Sequence, residues 1–401
     1  MFEMDMDAID KITSSVSAKD YDISVKLVPE TQQLSAHCKV KLITGRTDTF
    51  VILSESLNVS RLEINGKVTS PLRRGPIMTL PTREGESELL FEYAGRIPHG
   101  SFNNYVAKDR VELNVNLPWY PLFCFPRRKF SARLQVAERG NLEVISSPTT
   151  GSPKSKSKRP LLMDLVIVGG KVRGRAKGRG LSVVSFAHDD SPDEIRKQGE
   201  ASLRYLTSIL GPSPFGEVRV VETLRQEGGG YAREGLVVLQ DVKEPEYRKN
   251  WHLALTHELA HEWWGIGILP KDEWLSEGLA TYWEYRFAKD IQGSPEGRKV
   301  LRDRMRRLKG IRGSVARANS WSKGGWELSR FGGLYVLASL ENELADLPQL
   351  LSSFAAKNMG QAIGSEDFIG FFREHVDEGL LRDLICTERD WNDVYRSLAN
   401  D

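Results

Sequence analysis

The chain has 401 residues, 40% hydrophobic and 27% charged, with a formal net charge of +2. That is the composition of a water-soluble globular protein, long enough for two or perhaps three cores, with no general pull toward nucleic acid or membrane. The three cysteines, Cys38, Cys124 and Cys386, are odd in number and far apart, which argues against a disulfide framework and a cysteine-rich zinc module. The opening MFEMDMDAID lacks the apolar core of a signal peptide, and no apolar run reaches the roughly 18 residues that span a bilayer. A reducing, cytoplasmic location is expected.

The first part reads as β-structure. YDISVKLVPETQQLSAHCKVKLIT alternates apolar and polar residues on both sides of a turn near Pro29–Gln33. TFVILSESLNVSRLEINGKVT continues in short strands, and Asn65-Gly66 is a strong hairpin-turn signal. ESELLFEYAGRI and FSARLQVAERGNLEVISS read the same way. Turn signals about every ten residues predict an antiparallel β saddle or sandwich. Ser147–Pro160 is polar and reads as an exposed loop. Between Lys154 and Arg179 stand nine basic residues and one acid, Asp164. A phosphate-binding or nucleic-acid arm would look like this, but no aromatics are interleaved for base stacking, so a solvated loop and hairpin tip is the expectation.

After Phe186 the pattern changes. Ser191 and Pro192 suit a helix start, and Ile195, Leu203, Leu206, Ile209 and Leu210 form its apolar face. GEVRVVETL and GLVVLQDV read as strands around a glycine loop, and from Arg248 the chain is mostly helical. Two domains are predicted, 1–187 and 188–401.

The segment THELAHEWWGIGILPKDEWLSEGLATYWE carries the chemistry. On a helix, residues four apart share a face, so His257 and His261 can point both imidazoles at one ion. Glu258, beside the first, can reach a water at that metal as a general base. Glu277, in the first turn of the next helical stretch, can complete a His2Glu site with one position open. Zinc suits such a donor set. Glu284, two turns further on, is a candidate to support a ligand from behind; a solvated surface glutamate is the alternative. His252 falls on another face. There is no G-x-S-x-G elbow, phosphate loop or dinucleotide fingerprint.

HELAH followed by WLSEGLATYWEY resembles the zinc aminopeptidases of the aminopeptidase N and leukotriene hydrolase family. YDISVKLVPETQQLSAHCKVKLI, LPWYPLF, SPFGEVRVVET and GGLYVLASLENEL are similar to other segments of that family, so the likeness covers nearly the whole chain. It implies a β saddle followed by a thermolysin-like, mainly helical catalytic domain. It also implies His257, His261 and Glu277 as zinc ligands and Glu258 as the base. The departures are as informative. The connection from His261 to Glu277 is three residues shorter than in the family. The family's glycine-rich strand carries a glutamate for the substrate's amine, followed by an asparagine; here GGYAREGLVVL puts Ala232 and Arg233 there. The family's tyrosine that stabilises the tetrahedral intermediate falls on Arg330. The family's helical roof over the cleft finds no room in the 124 residues after Glu277.

These observations predict a zinc metallopeptidase acting on peptides, with one zinc per chain. The strand Gly229, Gly230, Tyr231, Ala232, Arg233 would hold the substrate backbone, and Arg330 would be a second donor to the oxyanion. The alternative is a catalytically degenerate relative that binds or scaffolds peptides or proteins. A basic-arm nucleic-acid binder is a distant third.

Overall fold

The computed structural model describes residues 16–45, 48–97, 103–123, 129–147, 161–162, 164–225, 228–320 and 322–394. Cys124, Lys154, Lys156, Lys158, Arg159 and nearly all of the predicted 147–160 loop lie outside them. The chain divides into two compact units, Met1–Arg173 with Thr223–Gly228, and Gly174–Glu222 with Gly229–Asp401.

The first unit is built on a seven-stranded sheet in the order Leu161–Leu162, Phe130–Glu138, Val16–Val28, Gln33–Thr44, Gly85–Arg96, Leu57–Ile64, Lys67–Val68. Period-two alternation decides its faces: Ile23, Val25, Cys38, Val40 and Leu42 are buried while Lys26, Lys39 and Lys41 are exposed. The turn at Asn65-Gly66 has positive φ at both residues, 51° and 76°, as a two-residue hairpin requires. Val16–Val28 pairs antiparallel with Gln33–Thr44 but parallel with Phe130–Glu138. A four-stranded and a three-stranded sheet complete the unit. Trp119, Tyr120 and Phe123 of LPWYPLF are fully buried in its core. The segment Thr223–Gly228 belongs here because Arg225 pairs with the buried Glu112, at 3.5 Å.

The second unit opens with a five-stranded sheet ordered Gly174–Lys177, Leu181–Ser185, Val218–Glu222, Leu236–Leu239, Gly230–Arg233. The three central strands are parallel and the outer two antiparallel. Position 187 therefore falls just after the second strand of this sheet. Helix α1 (Ser191–Leu210) is the crossover between the first two parallel strands. It starts one residue before the expected helical position: Asp190 is the N-cap, and Ser191 instead sends its hydroxyl to Glu222. Four further helices position the site: α2 (Trp251–Ala260), α3 (Trp274–Phe287), α4 (Ser294–Met305) and α5 (Gly333–Glu343). Helices α2 and α3 are buried almost all round, so they form the centre of this unit's core. Helices α3 and α5 cross at two glycines. A Cβ on Gly278 would stand 2.7 Å from the Gly333 Cα, and the reverse holds equally. No side chain fits between them.

Candidate metal centre and substrate strand

His257 lies in the last turns of α2, and His261 continues it with helical backbone angles of −62° and −19°. Their Nε2 atoms stand 3.2 Å apart. The Glu277 carboxylate spans them, with Oε2 at 3.4 Å from His257 Nε2 and Oε1 at 3.6 Å from His261 Nε2. Two nitrogens bonded to one tetrahedral zinc at 2.0–2.1 Å are separated by roughly 3.3 Å, so this donor set fits that ion. His257, His261 and Glu277 form a metal-capable group; among the described residues one other qualifies, His188, Glu222 and Asp241.

The candidate ligands are held from behind. His261 Nδ1 donates to the Trp264 carbonyl at 2.9 Å, with the Ser276 hydroxyl at 3.3 Å. A carbonyl only accepts, so Nδ1 carries the proton and Nε2 keeps its lone pair for the metal. The turn that brings the carbonyl round passes through Gly265, at φ 104°, where a Cβ would meet Ser276 Oγ at 2.1 Å. On His257, Nδ1 faces Thr281 Oγ1 at 3.4 Å and Glu284 Oε2 at 3.6 Å. Glu284 is fully buried. Its other oxygen accepts from Arg304 Nε at 3.1 Å, and Arg330 Nη2 lies 3.6 Å from Oε2. Of the two readings of Glu284, the structure takes the supporting one. Ser276, Thr281 and Arg304 were not foreseen. The first two sit one before and four after Glu277, a spacing that could have flagged them. Arg304 comes from α4, with no local signal.

Charge in the pocket follows from these contacts. Burial pushes His257 down to about 4, and Arg330 adds to the effect while Glu277 opposes it. The ring is thus neutral, as a ligand must be. Burial works to raise Glu277, but His257, His261 and Arg330 outweigh it and the net shift is downward. Glu284 behaves likewise: burial raises it, and Arg304, Arg330 and His257 bring it below its ordinary value.

Glu258 is buried beside His257 and packs against the strand Gly230–Arg233: a Cβ added to Gly230 would come 3.3 Å from the Glu258 Cγ. That strand is the sheet's edge, paired on one side only with Leu236–Leu239. Gly229, at φ 61°, leads into it and accepts from the Gln240 N–H at 2.7 Å. Ala232 is buried and offers no carboxylate. Arg233 folds back, donating to the Ala232 carbonyl at 2.7 Å with its guanidinium 5.1 Å from the Tyr231 ring centre. Arg330 lies in a π-helical turn, Leu328–Gly332, just before α5. Its guanidinium stacks 5.3 Å over Trp326 and faces Glu284. Its Nε is buried with no hydrogen-bond partner among the described residues.

No family model matches the chain. It is 28% identical to Aminopeptidase O of Rattus norvegicus over 209 residues, 43% of this chain and 25% of that protein. It is 27% identical to the Mus musculus Aminopeptidase O over 224 residues, 46% and 27% of the two chains. The chain thus spans about a quarter of the length of these relatives. In structure it is similar to an M1 zinc metallopeptidase from Deinococcus radiodurans, with TM-score 0.71, 17% identity and 92% and 94% of the two chains covered. A mutant of that enzyme bound to a Tyr-Ser-Ala substrate gives TM-score 0.68 at 18% identity, again over 92% and 94%. A two-domain M1 enzyme bound to L-arginine matches over 94% of this chain with TM-score 0.71. With β-sheet structure leading into a helical unit that brings together two histidines and a glutamate, the chain has the two-domain fold of the solved M1 zinc metallopeptidases.

Proposed function

We propose that the protein is a zinc-dependent metallopeptidase that hydrolyses peptide bonds and handles the substrate's amino terminus differently from an aminopeptidase. The observation that carries this is the convergence of His257 Nε2, His261 Nε2 and the Glu277 carboxylate on one point, with Glu258 next to it against an open strand edge. Zinc held there would supply Lewis acidity, polarising the scissile carbonyl and lowering the pKa of a water. Glu258 takes the proton from the attacking water and delivers it to the leaving amine. The backbone of Gly229–Arg233 pairs with the peptide as an added strand. Arg330, at the family tyrosine's position in the sequence, is the candidate donor to the developing oxyanion. Its contact with Glu284 gives it a second role, neutralising the carboxylate behind His257.

A protonated amine held in a cleft needs a carboxylate partner. Ala232 supplies none, and Arg233 beside it is cationic. Peptides with blocked amino termini should therefore be bound and cleaved. One peptide, with free and acetylated N-termini, given to the zinc-loaded chain and read by mass spectrometry, tests this. Removal of single residues from the free form alone would mean an ordinary aminopeptidase.

The replacement of a carboxylate at Ala232 and of a phenol at Arg330 also favours a second reading, a relative that binds peptides without cutting them. A mixed peptide library left intact by the zinc-loaded chain would select it.

A further inference from the structure

Between Arg298 and Lys323 the catalytic unit carries ten cationic side chains and one acid, Asp303. The whole chain is nearly neutral, so this is a strongly polarised surface. Part of the charge is matched: Arg306 by Asp303, Arg312 by Asp390, Arg317 by Glu388 and Arg304 by Glu284. Arg298, Arg302, Arg307, Lys309 and Lys323 are exposed and make no ion pair among the described residues.

Within this tract is a hollow of about 110 Å³, walled by Arg312, Arg317, Lys323, Ser314, Ser322 and Glu388. Three cations line it: Arg312 is paired with Asp390 at 3.0 Å, Arg317 with Glu388 at a long 3.6 Å between two exposed groups, and Lys323 makes no ion pair among the described residues. Ser314 is 3% exposed, and its hydroxyl has no hydrogen-bond partner among the described residues. A buried hydroxyl left unpaired costs free energy unless something outside the chain completes it. The wall therefore combines one unpaired cation, Lys323, and a weakly paired one, Arg317, with a hydroxyl that has no partner among the described residues.

We infer that this hollow is a binding site for a phosphate-class oxyanion. A tetrahedral anion presents oxygens in several directions and can take Lys323, Arg317 and Ser314 together, whereas a carboxylate offers two oxygens in one plane. The volume admits such a group but not a nucleotide base. The surrounding cations raise the local concentration of anions, an effect that salt screens. The site does not depend on the peptidase reading, because none of its residues is a metal ligand or Glu258.

Equilibrium dialysis of labelled inorganic phosphate against the full zinc-loaded chain at low ionic strength tests it. One phosphate per chain is expected, bound about tenfold more weakly by Lys323→Ala, as loss of a charge-assisted bond predicts. Ser314→Ala should weaken it about fivefold, with a melting temperature unchanged or raised because an unpaired hydroxyl is removed. Arg298→Ala, in the same tract but outside the hollow, should change affinity by less than about twofold. Equal losses in Lys323→Ala and Arg298→Ala would reduce the effect to diffuse charge and overturn the site, as would no binding at all. Phosphatidylcholine vesicles with and without a phosphoinositide distinguish the source. Capture by the phosphoinositide vesicles alone assigns a lipid headgroup; phosphate binding without capture assigns a soluble phosphomonoester.

Discussion

His257 is controlled from both of its ring nitrogens, and the control is electrostatic as much as geometric. Glu284 is fully buried away from bulk solvent, so it depends on Arg304 and Arg330 for its charge. Glu284→Gln should keep the fold but lower zinc affinity by about 10- to 100-fold, as for other groups that orient a ligand from behind. Competition with a chromophoric chelator measures this; unchanged affinity would mean that Glu284 serves only the arginines. Glu258→Gln should retain zinc and lose turnover by about 10²–10⁴, since the amide cannot accept a proton. Metal analysis beside a peptide assay separates the two effects, and activity surviving within tenfold would remove Glu258 as the base. Glu262 is a different case. Burial raises its pKa to about 8 from 4.5, with Glu234 adding to the shift. The unfolded chain releases that proton near its ordinary pKa and the folded chain holds it, so stability falls as pH rises through this window. Glu262→Gln should flatten the dependence; melting curves between about pH 5 and 9 that stay parallel to the parent's would contradict it.

At the scale of elements, the contact between α3 and α5 ties the candidate ligand Glu277 to the turn that carries Arg330. Backbone meets backbone at Gly278 and Gly333, so an added methyl has nowhere to go. Gly333→Ala should cost about 1–3 kcal/mol and loosen zinc at the same time, because the displaced helix carries Glu277. Calorimetry and metal affinity together check this; a stability loss without any change in zinc affinity would show that the two helices give way elsewhere. The two helices that carry the candidate ligands were legible in the sequence because their signals are local. Two histidines four apart and a glycine-free apolar stretch need no tertiary knowledge. The hairpin turn at Asn65-Gly66 is legible for the same reason. Arg304 was not, since its partner Glu284 lies twenty residues away on another helix. Nor was the parallel pairing of Val16–Val28 with Phe130–Glu138, because a strand's alternation does not name its neighbour or direction.

For the molecule as a whole, two compact units imply two stability responses. The candidate zinc residues all lie in the second unit, so on the proposed function a chelator should lower the melting of that unit and leave the β unit's transition in place. His261→Ala should reproduce the chelator's effect and bind little zinc. A single shared transition, shifted as one, would show that the units unfold together. Alternation and turn spacing made the first unit's sheet structure legible, and helical patterning the second's. The join was less so. The strands Gly174–Lys177 and Leu181–Ser185 look like a continuation of the β pattern, and only the pairing of Leu181–Ser185 with Val218–Glu222, with Gly174–Lys177 on its other side, assigns them to the second unit. Thr223–Gly228 crosses back to the first unit through the Arg225–Glu112 pair, a contact between residues far apart in sequence.

The edge strand Gly230–Arg233 is only four residues long. A peptide added to it in register presents alternate side chains to alternate faces, so a shift by one residue reverses every side chain and breaks the ladder. A substrate shortened by one residue therefore cannot simply slide forward. It must leave the strand and pair again in the new register. If the proposed enzyme cuts one peptide repeatedly, a residue further on each time, hydrolysis is distributive: partly cut peptides accumulate in solution between cuts, and an excess of fresh substrate displaces them from the enzyme.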